Sequence, residues 1–327
     1  MQNFDSLTPV CTYCQSVDSI WFCNTQDIFD TKYELRHCVG CKAYFLWPFP
    51  SDELLRRAYD TSYYGATQQK FSFAVVEKAV DWFRKKRARK IVKLLPDGAS
   101  VLDIGCGNGD FLHYVSQCGH FELFGIERDE MAAKRAATKA NIHLQTTPLN
   151  EGDFAANAFD VITLFHVFEH LTEPEKTLNI INKILKPEGT FVLSFPNIAS
   201  WQARVFKGKW LHLDPPRHLF FMAPKDFKAI MRNKNFECVG TTYFSMEQNP
   251  FGLVQSLLNV VCKKREVLFE RLKGNTQYAA EYGSWNVFLQ KCFFVLHFPL
   301  FVLTDLIAAC FKKSATVKFT FKNTKPC

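Results

Sequence analysis

The chain has 327 residues, 47% of them hydrophobic and 22% charged, a composition typical of a soluble folded protein rather than a disordered one. Its formal net charge of +8 is compatible with contact to nucleic acid or anionic lipid but requires neither. Residues 1–10 have neither the basic cluster nor the apolar run of a secretory signal, so we expect a cytoplasmic protein. In such a reducing compartment, paired cysteines indicate metal binding rather than disulfides.

Two C-x-x-C pairs lie near the start of the chain, separated by a hairpin-sized segment: Cys11, Cys14, Cys38 and Cys41. Four thiolates are a complete tetrahedral ligand set for zinc and leave no position for a substrate. About forty residues bury little core, so metal binding would replace part of it. We therefore predict a structural Zn²⁺ in a zinc-ribbon-like knuckle over residues 1–46, with Gly40 in its second tight turn. The alternative is two unrelated pairs of reduced thiols.

An aromatic connector and a helix are expected over residues 47–95. Apolar residues recur there at helical spacing, which predicts a helix over about residues 71–95 that ends before Pro96. Residues 84–90 add a run of basic side chains beside this apolar stripe. The run predicts either a solvated helix face or a patch that contacts RNA or acidic lipid.

A short apolar strand over residues 100–104 leads directly into a glycine turn, Gly105–Gly109, and then into a helix-compatible segment. This order is typical of a dinucleotide-type crevice, but Asp110 occupies the position of the third glycine of a nicotinamide fingerprint. Asp103 would repel a pyrophosphate and attract the ammonium group of S-adenosylmethionine. Glu127, after the next strand, is placed for an acid that binds ribose hydroxyls. The pattern therefore predicts S-adenosylmethionine as the cofactor.

Further apolar segments predict a doubly wound parallel sheet that is closed by an antiparallel hairpin. After the first strand, the predicted strands are 123–126, 142–145, 159–164 and 190–195, and the hairpin strands are 236–244 and 315–322. Before the fifth strand, Thr172 and Glu175 predict a helix that starts with a capping box, and Gly189 predicts its end. Residues 246–314, between the hairpin strands, are then an insertion in a domain over residues 96–327.

Four later motifs accompany the cysteine pairs and the LDIGCGNG turn: Tyr63-Tyr-Gly65, His166-Val-Phe-Glu-His170, Phe195-Pro-Asn197 and Asp214-Pro-Pro-Arg-His218. With them, the chain resembles the bacterial class I S-adenosylmethionine-dependent methyltransferases that have an N-terminal zinc ribbon. The resemblance implies a Rossmann-like, seven-stranded α/β sheet and a substrate from quinone, glycan or secondary-metabolite chemistry. By position, it implies that the cofactor is bound by Asp103, Gly105, Cys106, Gly107, Glu127 and Phe165 or His166.

Methyl transfer requires alignment of the acceptor with the methyl group and, for a hydroxyl acceptor, removal of its proton. His166 and His170 follow the fourth strand, and Arg217 and His218 follow the fifth, where ligands bind in open α/β sheets. We predict His218 as a general base, with Arg217 as a substrate clamp or a base-orienting group. His166 and His170 are further candidates for the base. Their alternatives are a metal pair or, for Glu169 and His170, a structural hydrogen bond that anchors the loop.

Residues 292–311 form an almost wholly apolar segment, and two lysines follow it. The segment predicts a buried lid over the substrate pocket or an interfacial segment that lies on a membrane. A membrane-spanning helix is the third alternative, against which Pro299 and Asp305 argue. The interfacial alternative predicts peripheral contact with the inner membrane face through residues 286–313. Either of the first two alternatives favours a lipid-linked substrate.

These features predict an enzyme that methylates a small or lipid-linked acceptor, with oxygen as the expected acceptor atom. One alternative is an RNA methyltransferase in which the zinc knuckle and the basic run bind phosphates; steep loss of activity with salt would support it. A second alternative is a non-catalytic module that binds the cofactor and a partner. The intact Asp103, glycines and Glu127 argue for cofactor binding in all three cases.

Overall fold

The structure is a computed structural model that describes residues 8–59, 74–93, 95–139, 141–273, 275, 278–280 and 282–326, with the backbone alone for 74–80. Its helices and strands, in chain order, are β1 (Ser19–Gln26), β2 (Lys32–Cys38), β3 (Tyr44–Trp47), α1 (Asp52–Ala58), α2 (Ala74–Val92), β4 (Ser100–Ile104), α3 (Asp110–Ser116), β5 (Glu122–Ile126), α4 (Glu130–Ala137), β6 (Ile142–Gln145), β7 (Phe159–Phe165), α5 (Pro174–Ile184), β8 (Leu185–Pro196), α6 (Trp201–Phe206), β9 (Phe220–Phe221), α7 (Pro224–Asn233), β10 (Phe236–Thr242), α8 (Asn249–Val261), α9 (Val267–Lys273), α10 (Ser284–Cys310) and β11 (Thr316–Asn323). Short 3₁₀ turns lie at Phe168–His170, Lys207–Lys209 and Leu211–Leu213.

A seven-stranded sheet with the order β10-β11-β8-β7-β4-β5-β6 confirms the predicted α/β fold. Strands β4 to β8 pair in parallel, and β10 pairs with β11 in antiparallel register. The chain proceeds from β4 outward to β6 and then returns to place β7 on the other side of β4. This reversal is the topological switch point at which open α/β sheets bind ligands, beyond the carboxyl ends of the strands.

The predicted strands lie where the sequence placed them, with the largest difference at the fifth. Strands β4 and β6 have the predicted bounds, and β5 and β7 are one residue longer. Strand β8 begins at Leu185 rather than at 190, so Gly189 lies inside the strand and does not end the preceding helix. The two hairpin strands pair as predicted. The predicted first helix corresponds to α2, and its expected start at residues 71–73 lies outside the described residues.

The predicted capping box of α5 is wrong. The helix begins at Pro174, and its N-cap is Glu173, which makes no side-chain capping hydrogen bond. Proline at the first helical position disfavours the helical conformation for the residue before it, so the boundary lies one residue after Thr172. Glu175 instead forms an ion pair with Lys234. His166 and His170 do precede this helix, as the sequence predicted.

The chain divides into two compact units, one built from residues 1–72, 196–227 and 243–317 and the other from residues 73–195, 228–242 and 318–327. The second unit holds the seven-stranded sheet. The first contains an antiparallel sheet of order β1-β2-β3-β9 together with α8, α9 and α10. Its core includes Trp210, Leu268 and Val254, each below 1% exposed, and full burial of a leucine or valine side chain contributes about 1.5–3 kcal/mol.

Arg265 connects the C-terminal insertion to the N-terminal hairpin within the first unit. Its Nη1 donates to Thr25 Oγ1 at 2.8 Å, to the carbonyl of Gln26 at 2.9 Å and to that of Gly208 at 2.8 Å. Its Nε donates to the Glu266 carboxylate at 3.0 Å. Both ionic side chains are at most 2% exposed. The insertion is therefore fastened to strand β1 by a buried, charge-assisted set of hydrogen bonds.

Candidate functional site

The glycine turn after β4 has the backbone geometry that only glycine adopts without strain. Gly105, Gly107 and Gly109 have φ angles of 71°, 54° and 71°. A Cβ on Gly105 would lie 2.3 Å from Val167 Cγ2, whereas a Cβ on Gly107 would meet no atom within 4 Å. The first glycine therefore allows close packing, and the second leaves open space above the backbone. Cys106 between them is buried.

Asp103, one residue before the end of β4, is 3% exposed and accepts a hydrogen bond from Thr163 Oγ1 at 2.6 Å. Burial raises the pKa of its carboxyl to about 7, although Thr163 and the positive charge of Arg87 partly oppose that shift. Among the described residues, the groups that lower this pKa are the Thr163 hydroxyl and the Arg87 guanidinium, and they do not fully compensate the desolvation. The carboxylate is therefore suited to receive the positive charge of a ligand.

Glu127 connects the glycine turn to the loop after β5. Its Oε2 accepts from the Gly107 amide at 2.8 Å, and its Oε1 accepts from the Asp129 amide at 2.9 Å. Burial raises its pKa, and these backbone hydrogen bonds oppose that shift. Each carboxylate oxygen retains a second lone pair, so both oxygens can still accept a hydroxyl donor. The acid thus fixes the turn and presents acceptors at the carboxyl ends of β4 and β5.

Phe165 is the last residue of β7, so its ring lies at the carboxyl end of the parallel strands. Its ring contacts Phe111 edge-on, with ring centroids 5.3 Å apart. The guanidinium of Arg87 lies 4.8 Å from the Phe165 centroid, which is within the range of a cation–π contact. Arg87 belongs to the basic run of α2, and this contact distinguishes it from a fully solvated side chain.

His166 has a φ angle of 55°, in the left-handed region that non-glycine residues rarely adopt. Its Nδ1 lies 3.4 Å from Oε1 of Glu169, whose side chain is 2% exposed. His170 is half-buried at the end of the 3₁₀ turn Phe168–His170. The conformation at His166 directs the chain sharply away from β7, and strained backbone of this kind clusters at functional sites.

The loop after β8 that carries Arg217 and His218 belongs to the first unit. Arg217, 4% exposed, forms a forked ion pair with Asp214, in which its Nε donates to Oδ2 at 2.9 Å. Burial raises the pKa of Asp214, but the charges of Arg217 and His218 outweigh it and hold that pKa at about 2. Of the two roles predicted for Arg217, this commitment to Asp214 favours orientation of the loop over clamping of a substrate.

The ring of His218 is fixed by two neighbours in the same loop. Its Nδ1 lies 2.8 Å from the carbonyl oxygen of His212, and its Nε2 lies 3.7 Å from Asp214 Oδ2. A carbonyl oxygen only accepts, so the proton of a neutral ring is on Nδ1 and Nε2 carries the lone pair. That tautomer is the one a general base acting through Nε2 requires.

The four N-terminal cysteines converge in the first unit. Their sulfur atoms all lie within 4.8 Å of one another, and the pairs Cys11–Cys41 and Cys14–Cys38 are both 3.6 Å apart. Four sulfurs around zinc at about 2.3 Å would be separated by about 3.8 Å, so this set has the size of a tetrahedral site. The tight turns use Gln15 and Lys42, with φ of 61° and 63°, and not Gly40, whose φ is outside the left-handed region.

The sequence patterns did not indicate two residues that contact the predicted cofactor residues, Thr163 and Arg87. Thr163 pairs with Asp103 in the register of β4 and β7, and an alignment of the two predicted strands would have found it. Arg87 gave no such signal, because its helical position alone does not show that it reaches Phe165. Among the described residues, the second unit brings together the predicted cofactor residues Asp103, Gly105, Cys106, Gly107, Glu127, Phe165 and His166.

Comparison with known proteins assigns a class to the domain around this crevice. Residues 80–241 match a family described as a methyltransferase domain. The ubiquinone biosynthesis O-methyltransferase of Haemophilus ducreyi is 31% identical over 138 residues, covering 39% of this chain and 56% of that protein. The tRNA U34 carboxymethyltransferase of Desulfotalea psychrophila is 26% identical over 144 residues, covering 41% of this chain and 45% of that protein. This chain therefore spans about half the length of each relative.

The fold is shared with solved structures at much lower sequence identity. The [4+2]-cyclase SpnF superposes with a TM-score of 0.50 and 14% identity, over 80% of this chain and 87% of that one. Such a likeness concerns the fold alone. The matched family and the relatives support a methyltransferase domain over residues 80–241, and the solved structure agrees with its fold.

Proposed function

We propose that this methyltransferase domain transfers the methyl group of S-adenosylmethionine to an oxygen atom of a small or lipid-linked acceptor. The observation that carries the proposal is the crevice at the switch point, where a buried Asp103, an open glycine turn and Glu127 lie at adjacent strand ends. The O-methyltransferase relatives support oxygen as the acceptor atom. S-adenosylmethionine, when bound, supplies an activated methyl group.

Each crevice residue has a role that follows from its chemistry. Asp103 offers a buried negative charge to the ammonium group of the cofactor, and the second lone pairs of Glu127 accept its ribose hydroxyls. The Phe165 ring offers an apolar surface next to them. Gly107 permits close approach because no side chain covers it. The two carboxylates would repel a pyrophosphate, which agrees with a phosphate-free nucleoside.

The chain also needs a group that takes the proton of a hydroxyl acceptor. His218, whose Nδ1 is held by the His212 carbonyl, is the first candidate, and His166, beside Glu169, is the second. An imidazole with a pKa near neutrality is the side chain most often used for this transfer. His170 and Arg217 would then hold the two loops in place.

The four cysteines form a structural zinc site in this proposal. Their donor type, number and separation fit Zn²⁺, and no fifth ligand position is needed. The protein purified without chelator is expected to contain one zinc per chain by elemental analysis, and Cys14→Ser to lose it. Cys23→Ser is the matched control, because that thiol lies outside the cluster and should not alter the zinc content. A wild-type chain that is metal-free and equally stable with and without chelator contradicts the site.

The methyl-transfer proposal is tested with methyl-labelled S-adenosylmethionine and cell extract, followed by separation of organic-soluble from aqueous products. We expect label in an organic-soluble product whose methyl ether is identified by mass spectrometry. The Asp103→Asn variant is the control and should lose the incorporation. Label that remains aqueous and disappears after ribonuclease treatment would replace this proposal with the RNA alternative, which the tRNA-modifying relative represents.

A further inference from the structure

Helix α10 has two apolar faces, and only one of them is covered by the protein. Val287, Phe301 and Ala308 are buried on one side. The opposite side exposes a continuous apolar stripe, here termed the α10 face: Phe288, Leu289, Leu296, Leu300, Leu303 and Ile307, each at least 50% exposed. From residue 288 to 311, His297 is the only exposed polar residue of the helix and its C-cap. Soluble proteins rarely leave a contiguous apolar surface of this extent uncovered.

Cationic groups lie at both ends of the α10 face. At the first end, Arg271 and Lys291 line a cavity of about 310 Å³ that also includes Phe288 of the face. At the other end, Lys312 is exposed directly after the helix. The only acidic residue of segment 284–313, Asp305, is buried on the protein side, and no acidic residue lines the cavity among the described residues. The exposed side is thus apolar along its length and positively charged at its ends.

The buried side of α10 is fastened to the first unit by polar contacts. Asp305 Oδ2 accepts from Asn249 Nδ2 at 2.9 Å, and Thr316 Oγ1 donates to Asn249 Oδ1 at 2.7 Å. Near the start of the helix, Gln290 Nε2 donates to Cys262 Sγ at 3.7 Å. Although α10 is long and apolar enough to cross a bilayer, spanning it would separate these partners. The contacts therefore favour a helix that lies along a surface.

We propose that the α10 face docks this protein onto an anionic phospholipid bilayer, with the helix parallel to the membrane plane. The leucines would enter the acyl boundary, and Arg271, Lys291 and Lys312 would contact headgroup phosphates. A helix of 27 residues extends about 40 Å, so the two cationic ends reach separate headgroups. This arrangement is that of a monotopic interfacial helix. The inference is independent of the acceptor that the enzyme methylates.

The width of the stripe favours a bilayer over a second copy of the chain. Leu289, Leu296, Leu300 and Leu303 follow spacings of seven, four and three residues, which is the seam of a helix pair. A partner helix on that seam would leave the flanking Val295, 57% exposed, and Leu306, 44% exposed, in water. An acyl surface covers the whole width at once.

Vesicle flotation with the full chain tests the proposal, using vesicles of phosphatidylcholine alone and of an equal mixture with phosphatidylglycerol. We expect binding to the anionic vesicles that weakens with salt. The triple variant Leu296→Gln/Leu300→Gln/Leu303→Gln should bind at least about tenfold more weakly, since each buried methylene contributes to partitioning. Lys312→Gln should cost about fivefold. The matched control is Val205→Gln, which replaces a 65% exposed residue outside the face and should bind like wild type.

The changed residues are exposed, so each variant should keep the circular dichroism spectrum and melting temperature of the wild type. Three results would overturn the proposal. One is a folded wild type that does not float with anionic vesicles at low salt. Another is binding that the triple variant retains in full. The third is a wild type that is dimeric and a triple variant that is monomeric in sedimentation velocity, with no vesicle binding by either protein. In that case a second copy of the chain would cover the α10 face.

Discussion

Asp103 and Asp214 are both removed from water, but their surroundings hold them in opposite states. Asp103 has a pKa of about 7, because burial acts on it with only a hydroxyl partner and a more distant cation. Asp214 has a pKa of about 2, because the positive charge and hydrogen bonds of Arg217 are the main effect that opposes burial. The described residues compensate the charge of the first carboxyl only in part, whereas the second carboxyl has an ion pair with Arg217.

This difference separates a binding group from a structural one on physical grounds. When the fold itself supplies the compensating charge of a buried acid, removal of that charge should lower the free energy of unfolding. A buried acid whose charge is not compensated lowers the stability of the fold, and it can bind a cationic ligand. The comparison therefore predicts that changes near Asp214 affect stability, whereas changes at Asp103 affect cofactor binding.

The largest effect is expected from removal of the Arg217 guanidinium. Arg217→Met leaves a carboxylate that is 13% exposed without its forked partner, and breaking such a pair costs about 3–5 kcal/mol. Urea unfolding at neutral pH measures this loss. The double variant Asp214→Asn/Arg217→Met removes the charge as well and should recover most of it. A single variant as stable as wild type would show that Asp214 is compensated by other groups.

Asp103→Asn should change cofactor binding without comparable loss of fold. The amide retains an acceptor for Thr163 and removes the negative charge, and loss of one member of a buried charge pair costs about 2–5 kcal/mol in affinity. We therefore expect S-adenosylmethionine to bind at least about thirtyfold more weakly by calorimetry. Glu122→Gln on β5, an acid outside the crevice, is the control and should bind normally. Equal affinity of Asp103→Asn and wild type would remove Asp103 from the site.

Local sequence was sufficient to predict the strand, the glycine turn and the acid that form the candidate crevice. A strand, a glycine turn and the next acid lie within residues 100–127, and their geometry is determined by neighbours along the chain. The same holds for the alternating hairpin strand β11. The start of α5 depends on a single residue, Pro174, and there the predicted N-cap was wrong by one position.

Contacts between segments far apart in the chain could not be predicted from sequence patterns. Arg265 reaches Thr25 across 240 positions, and no periodicity indicates such a partner. The exposed face of helix α10 could not be predicted either. Apolar residues lie on both of its faces, and the sequence has no polar stripe that would indicate the solvent side. The two faces are distinguished by burial in the structure, for example by the buried Phe301 beside the exposed Leu300.

A third buried aspartate, Asp305, extends the comparison, because its pKa lies between those of Asp214 and Asp103. Burial raises its pKa to about 6, and Asn249 only partly opposes the shift. A raised folded-state pKa gives a contribution to stability that is complete below the unfolded pKa of about 3.9 and is lost as pH rises through about 6.

The free energy of unfolding of Asp305→Asn relative to wild type should therefore shift in favour of the variant by about 2 kcal/mol between pH 4.5 and 7.5. Urea titrations across this range measure the shift, which does not depend on the absolute stability of either protein. Asp160→Asn is the control, because that carboxylate has a lysine partner at 2.8 Å. A constant difference across the range would show that Asp305 is not the titrating group.

The smallest effect is the pH dependence of cofactor affinity in the wild type. A folded pKa of about 7 means that protonation of Asp103 competes with a cationic ligand below neutrality. Binding of S-adenosylmethionine should weaken by about tenfold from pH 7 to pH 5.5, a range below the pKa of a free α-amino group at about 7.7–8.0. Asp103→Asn should bind weakly at both values, with an almost level profile. A wild-type profile equally level over this range would mean that Asp103 is ionised throughout, and hence that its charge is compensated within the protein as that of Asp214 is.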